Sequence, residues 1–322
     1  SDISKLLFKA TAKYGFPYFQ NYVGSELDET DVRAMCCRLR LDQRELVKHT
    51  GGLFGNGDAT GSVGVVTLNL PKYAYEAKGN VGKYYELIKK YATLGKQSLE
   101  IKRNIINENL DKGLMPYFRR YTGTFNTFFS TIGVVGGNEA CINLIGKDIT
   151  TKEGRALMID TLKYIRELIA DFQEETGHLY NLEETPAEST AYSLAKFDRK
   201  QYPDIKTAGT TDYPYYTNGT HTPVNVEYSI KDIIDHQEEL QLMYNSGCVI
   251  HFFIGEEIKD WKTCMKMVKR ICENSKIPYF SLTTTYSVCP VCKFISGAHK
   301  FCPNDHKKEE LEKYGIEIGE KI

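Results

Sequence analysis

The sequence predicts an α/β protein with a largely parallel sheet, and three observations carry that expectation. "VGVVTLNL" (63–70) is an almost unbroken β-branched and apolar run, the pattern of a strand buried on both faces. Four later runs share it: "TFFSTIGVV" (127–135), "LYNLEET" (179–185), "CVIHFFIG" (248–255) and "PYFSLTTTY" (278–286). Long helical stretches fall between them, the alternation that parallel strands with helical crossovers produce. Strands and helices do not segregate into blocks. The reading is one domain over residues 1–286 and a small cysteine-rich module over residues 287–322.

The chain opens on a helical stretch, "SDISKLLFKATAKY", that leads into a short strand, "PYFQNYV" (17–23). A polar segment and a glycine-rich loop, "GGLFGNGDATGSVG" (51–64), precede the first buried strand. The region 81–112 carries apolar residues at three- and four-residue spacing and predicts a long helix. "GGNEAC" reads as a glycine turn after the second buried strand. A further helix is expected over 151–176, opened by a capping box in "TTKEG". "PAESTAYSLAKFD" follows the third strand as a proline-started helix, and "KDWKTCMKMVKRICENS" fills the gap between the last two strands. Both ends of the chain read as cut.

Composition excludes some classes of function. The 322 residues carry a formal net charge of −1, so no basic surface for nucleic acid is indicated. No apolar run reaches the roughly eighteen residues of a membrane span, and no charged-then-apolar signal segment opens the chain. Nine cysteines, an odd and unevenly spaced set, argue against a secreted disulfide framework and for a reducing cytoplasm.

"CPVCKFISGAHKFCPNDH" places Cys289 and Cys292 in a C-x2-C knuckle, with Cys302 and His306 following at C-x3-H spacing. A knuckle presents two thiolates to one tetrahedral ion and a second pair completes the shell, so a structural zinc site is expected. Asp305 stands where a second knuckle would have its cysteine. The plain alternative is a group of reduced thiols in a turn. Cys141, Cys248, Cys264 and Cys272 lie in apolar contexts and read as small hydrophobes. His251, inside "VIHFFI", reads as a hydrogen-bonded core residue. The glycine loop lacks the Lys-Ser/Thr of a P-loop. At "ETPAEST", by contrast, Glu188, Ser189 and Thr190 begin a helix whose free N–H groups suit an anion. The plain alternative there is a glutamate complementing the helix dipole. Adjacent cysteines such as Cys36 and Cys37 are poor ligands for one ion and poor partners for each other.

Taken in order, "PYFQNYV", "MCCRLRLD", "GSVGVVTLNLPKYAYEAKG", "FFSTIGVVGGNEAC", "ETPAESTAYSLAKFD", "PYYTNGTHTPVN", "IHFFIGE" and "SLTTTYSVCPVC" resemble the catalytic subunit of anaerobic, class III ribonucleotide reductase, a glycyl-radical enzyme. The likeness implies that the five main strands are the second half of a ten-stranded α/β barrel. A finger loop over about residues 33–62 would enter that barrel. It further implies that Cys37, followed by Arg38, is the thiyl-radical cysteine, with Cys36 beside it. Such a radical must touch the sugar and be shielded from water and oxidants. Ser62 matches the position of a polar residue near the ribose, while Glu188, Ser189 and Thr190 become candidates for the substrate phosphates.

The implied reaction converts ribonucleoside triphosphates to 2′-deoxyribonucleoside triphosphates. Implied with it are a structural zinc and a radical glycine installed by an S-adenosylmethionine-dependent, iron–sulfur activase, and a homodimer. The family's radical glycine lies in an "R-x-x-G-Y" type of segment downstream of the cysteines; Gly315 and Gly319 in "KYGIEIGEKI" do not match it. The expectation is a chain that is inactive by itself and needs the remaining segments of the subunit. Two other readings stay open: a catalytically inactive, nucleotide-binding or regulatory partner of a full-length reductase, and a glycyl-radical lyase.

Overall fold

The structure is a computed structural model that describes residues 1–25, 32–35, 39–42, 60–184, 188–224, 226–254, 258, 260–284, 286–289, 291, 293–296, 302, 304 and 306. In chain order the elements are α1 (Asp2–Tyr14), β1 (Phe19–Gln20), β2 (Val32–Met35), β3 (Leu39–Asp42), β4 (Gly61–Asn69), α2 (Leu70–Ala77), α3 (Val81–Asp111) and α4 (Pro116–Tyr121). Then follow β5 (Phe128–Val135), α5 (Gly137–Ile145), α6 (Lys152–Thr176), β6 (Tyr180–Glu184), α7 (Glu188–Gln201), β7 (Ala208–Gly209), β8 (Pro214–Tyr215) and α8 (Ile230–Leu242). The last are β9 (Ile250–Ile254), α9 (Trp261–Asn274), β10 (Tyr279–Thr284), β11 (Tyr286–Cys289) and β12 (Lys293–Ser296). The chain divides into two compact units, residues 1–25 with 250–322, and residues 26–249.

The larger unit is built on β4, β5 and β6, paired side by side and all parallel. One face of this sheet is apolar: Leu68, Ile132, Val134, Tyr180 and Leu182 pack with Tyr84, Ile88, Leu99, Leu162, Ile165 and Phe172 of α3 and α6. That cluster is the main core, and burying it supplies most of the stabilisation of the unit. Arg103 of α3 fixes the start of β5, donating to the carbonyls of Phe125 and Phe128 at 2.8 Å and to Ser130 Oγ at 3.0 Å. At the other end of the sheet, β4 stops where Pro71 removes a donor and starts α2, and Asn69 Oδ1 caps that helix.

The expected single sheet of five strands is two sheets. In the smaller unit β9 pairs in parallel with β10, and β1 adds antiparallel to β10. The residues just after α8 hydrogen-bond to the edge of β6. Glu184 N–H donates to Gly247 C=O at 2.8 Å, Ser246 N–H to Leu182 C=O at 3.0 Å, and Leu182 N–H to Asn245 Oδ1 at 2.7 Å. Other boundaries shift locally. Of "PYFQNYV" only Phe19–Gln20 is strand, since Asn21 turns the chain by accepting from the N–H groups of Val23 and Gly24. "GGNEAC" is the first turn and a half of α5 rather than a turn alone. The start of α6 has Thr151 as N-cap with Gly154 at the third position, so there is no capping box, and Glu153 pairs with Lys147 instead.

In the smaller unit the face of Phe252, Phe280 and Leu282 is buried. The opposite face carries His251, whose Nδ1 lies 2.7 Å from Ser281 Oγ, with Thr283 Oγ1 3.0 Å further along. His251 is therefore hydrogen-bonded as expected but only half-buried. Among the described residues no helix is long and apolar enough to cross a membrane.

Candidate functional site

In a parallel α/β sheet ligands bind beyond the carboxyl ends of the strands, and in the larger unit that end is crowded with polar side chains. Successive residues of a strand point to opposite faces. With the core on one face of β4–β5–β6, the other carries Val65, Thr131 and Asn181 in one row of the register and Thr67, Gly133 and Glu183 in the next. Thr131, Asn181 and Glu183 are buried, at 0%, 1% and 5% exposure. Among the described residues, Thr131 Oγ1 and both amide atoms of Asn181 have no hydrogen-bond partner. Leaving a buried polar group unpaired costs about 1–3 kcal/mol, so the unpaired atoms of Thr131 on β5 and Asn181 on β6 call for an explanation. Burial alone pushes the Glu183 carboxyl up to about 7. Gly133, lying between Thr67 and Glu183 in register, contributes no side chain there.

The next row toward the carboxyl end, Asn69 and Val135, is covered by α7. Asp198 anchors that helix, accepting from Asn69 Nδ2 at 2.6 Å and Tyr216 OH at 2.9 Å. Burial raises the Asp198 carboxyl, partly offset by those two donors. Val135 packs against Ala191, Ala195 and Tyr216. The helix is thereby held at the sheet end with its first turn open: Glu188, Ser189 and Thr190 are all exposed.

Two buried carboxylates fix the loop 217–221 over the same end. Glu139, in the first turn of α5, accepts from Thr217 N–H at 2.8 Å and Thr217 Oγ1 at 2.7 Å. Glu184, at the end of β6, accepts from Thr220 N–H at 3.1 Å and Gln241 Nε2 at 2.9 Å, and its Oε2 lies 3.0 Å from His221 Nε2. Burial would raise the Glu184 carboxyl, but His221, Gln241 and the Thr220 amide together bring it below its ordinary value. Backbone donors complete the seat, from Gly136 to Thr217 C=O and from Gly137 to Gly219 C=O, both at 2.8 Å.

The residues expected from sequence are distributed as follows. Ser62 is half-buried in β4, opposite Phe129, with its hydroxyl 3.3 Å from Gly64 C=O across an irregularity in the register. Cys36 and Cys37 lie outside the described residues, but the antiparallel ribbon of β2 and β3, with Met35 opposite Leu39, brackets residues 36–38. Cys141 and Cys248 are buried, and burial raises the Cys141 and Cys264 thiols, that of Cys264 to about 11; these are inert side chains, as expected. Asn181, Glu183 and Thr131 are what sequence reasoning missed. Their signal was present, since Asn181 and Glu183 alternate with apolar neighbours in "YNLEE", and Ser130 and Thr131 interrupt "FFSTIGVV", within runs that read as buried on both faces.

In the smaller unit the ribbon of β11 and β12 pairs Cys289 with Lys293 and so brackets residues 290–292. Cys292, the second residue of the knuckle, lies outside the described residues. Cys289 Sγ and Cys302 Sγ each stand 3.1 Å from His306 Nε2, and all three ligand atoms lie within 4.8 Å of one another. A tetrahedral zinc with bonds of about 2.3 Å to sulfur and about 2.0–2.1 Å to nitrogen would set sulfur and nitrogen about 3.6 Å apart. The cluster is close to that spacing, and two thiols with an imidazole are the donor chemistry zinc prefers, so the residues fit the ion.

Fold and site together define an α/β protein with buried polar side chains on one sheet face and a separate Cys/His cluster that could hold a metal ion. The anaerobic ribonucleoside-triphosphate reductase family profile matches residues 1–315, and the chain belongs to that family. It is 23% identical over 317 residues to the anaerobic ribonucleoside-triphosphate reductase of Escherichia coli K12, and 25% identical over 313 residues to that of Haemophilus influenzae. Each alignment takes in 91% of this chain and 42% of the relative, so the chain spans less than half the length of these relatives. Among solved structures it is similar to the anaerobic ribonucleotide reductase of Thermotoga maritima with MES in the active site, at 28% identity and a TM-score of 0.63. That match covers 74% of this chain and 40% of the other. The same enzyme in complex with dATP and CTP aligns over 92% of this chain and 47% of its own, with a TM-score of 0.67 and 24% identity, a likeness of fold.

Proposed function

We propose that this chain forms part of the catalytic subunit of an anaerobic ribonucleoside-triphosphate reductase, with β4, β5 and β6 as staves of the second half of a ten-stranded barrel. The observation that carries this beyond family membership is the divided sheet: one face apolar under its helices, the other bearing the buried polar groups of Thr131 and Asn181, which no described residue pairs. A stave with packed exterior and ligand-facing interior needs that division. In this reading residues 1–286 belong to the barrel and residues 287–322 to the metal module.

The substrate is a ribonucleoside triphosphate, with its sugar over the polar face and its phosphates at the open first turn of α7. There Glu188, Ser189 and Thr190 begin the helix with free N–H groups and the positive end of the dipole. Cys37, between the strands of the β2–β3 ribbon, is the residue that takes the 3′ hydrogen from the ribose, and Cys36 is its neighbour. Ser62 lies beside the sugar. The net reaction replaces the 2′ hydroxyl with hydrogen and releases water, using two electrons and two protons from an external reductant. The radical glycine and its S-adenosylmethionine-dependent activase supply the initiating one-electron chemistry. Cys289, Cys292, Cys302 and His306 hold a structural zinc.

Reconstitution of the complete subunit with activase and reductant tests this reading. Cys37→Ser should abolish formation of deoxynucleotide while leaving nucleotide binding intact, and Cys36→Ser should retain turnover. Turnover by Cys37→Ser would refute the assignment.

A further inference from the structure

Two helices of the smaller unit, α1 and α9, pack against each other, and each carries a row of cations. On α1 the row is Lys5, Lys9 and Lys13, all exposed. On α9 it is Lys262, Lys266 and Arg270, with Lys269 beside them, and these are exposed too. Residues four apart are neighbours on a helix surface. Lys5–Lys9, Lys9–Lys13, Lys262–Lys266 and Lys266–Arg270 are therefore like-charge pairs that oppose helix formation. Acid to offset them is scarce. The two helices hold only Asp2, in the first turn of α1, and Glu273, which stands 3.7 Å from Lys269. Among the described residues no ion pair holds the other six cations. In a chain of net charge −1 this concentration is local and does not follow from composition.

Beside the cations α1 exposes apolar surface. Ile3 and Leu6 are 78% and 68% exposed, and Ile3, Leu6, Lys9 and Lys13 follow one another at three- and four-residue steps along one side of the helix. The opposite side is already used: Thr11 and Ala12 are buried, and the ring of Phe8 stacks on that of Phe19. We propose that α1 and α9 form a docking face for a second protein that presents an acidic amphipathic helix. Its carboxylates would lie on the rows of cations and its apolar residues on Ile3 and Leu6. The charges complement each other, and the partner's carboxylates relieve the like-charge pairs that each helix carries alone. A phosphate backbone brings no apolar group to Ile3 and Leu6. Two exposed apolar residues on a helix packed into the protein also give a bilayer too little to hold. The proposal stands independently of the reductase reading.

The probe is a synthetic amphipathic helix with glutamate on one face and leucine on the other, titrated against the complete subunit. Set beside it are a peptide of the same composition in scrambled order, single-stranded DNA, and vesicles of phosphatidylcholine with phosphatidylserine. The amphipathic peptide should bind in preference to all three. Two double reversals, Lys5→Glu with Lys9→Glu and Lys266→Glu with Arg270→Glu, should each weaken its binding about tenfold. Leu6→Ser should weaken it without altering its dependence on salt, because no charge is lost. Lys9→Gln separates a lost contact from a lost fold. It removes repulsion from α1, so its thermal midpoint should be no lower than the parent's while the peptide binds less tightly. A scrambled peptide that binds as well as the amphipathic one would overturn the proposal, and so would preferential binding of DNA or of vesicles. Peptide affinity unchanged by both double reversals, or no peptide binding by the parent, would overturn it equally.

Discussion

Glu183 and Glu184 are adjacent on β6, point to opposite faces of one sheet, and are driven in opposite directions by their surroundings. Both are buried. Glu183 has burial alone and is pushed up to about 7, whereas Glu184 meets His221, Gln241 and the Thr220 amide and falls below its ordinary value. A strand that changes face at every residue lets one sequence position stay without a charged partner while the next anchors the scaffold.

For Glu183 the sign of the pH effect follows. Its carboxyl holds a proton in the folded protein up to about pH 7 but releases it near 4.5 in the unfolded chain. The stability this contributes is complete below the unfolded value and is lost as pH rises through 7. The gap is worth on the order of 3 kcal/mol at about 1.4 kcal/mol per pH unit. Glu183→Gln should therefore have a thermal midpoint that exceeds the parent's at pH 8 and matches it near pH 5. Parallel pH profiles for the two proteins would contradict this.

Glu184 behaves in the reverse way. Its depressed carboxyl adds stability above the ordinary value, and that stability is lost as pH falls through and below the carboxylate range. Removing a buried partner leaves the other groups stranded, at a cost of about 3–5 kcal/mol. Glu184→Ala should unfold at markedly lower denaturant concentration at pH 7, and the difference from the parent should shrink toward pH 4. Hydrogen exchange should show the amide of Thr220 losing protection first.

Gly219 is fixed by the same pair of elements. Its φ is +45°, and a Cβ there would stand 2.1 Å from Glu184 Cγ. Gly219→Ala meets both a strained backbone and a collision with a buried side chain, so a loss of about 2 kcal/mol or more is expected from chemical denaturation. Gly113, also at positive φ (+74°) but with nothing within 4 Å of an added Cβ, should lose about 1 kcal/mol on the same change, from backbone strain alone.

How much of this was legible in the sequence differs by level. The apolar runs located every long strand to within one or two residues, because a buried parallel strand has no alternative use for consecutive β-branched residues. What they could not reveal is the partner of each strand. Asn245–Gly247 lie along the edge of β6, a pairing between segments about 60 residues apart with no periodic signal. Residues 188–190, at the end of "PAEST", are the exposed start of α7, but the face shared by Thr131, Asn181 and Glu183 emerges only when β5 and β6 are in register. Glu139 and Glu184 likewise look like ordinary acidic residues until the loop 217–221 folds back onto them.

The cluster of Cys289, Cys302 and His306 carries the last prediction. Cys289 is buried while Cys302 and His306 are half-buried, and a thiolate that is buried without an ion pays a desolvation penalty that metal coordination removes. Protein prepared without chelator should contain close to one zinc per chain by elemental analysis. Cys289→Ser and Cys302→Ser should each lose most of that zinc, because a hydroxyl does not replace a thiolate ligand. His306→Cys should keep it, since a fourth thiolate completes the same tetrahedral shell. Stripping the metal at neutral pH should release protection from exchange in the β11–β12 ribbon while leaving the amides of β4, β5 and β6 protected, since those lie in the other unit. Zinc retained in full by Cys289→Ser would remove that residue from the shell, and zinc absent from the parent would remove the site.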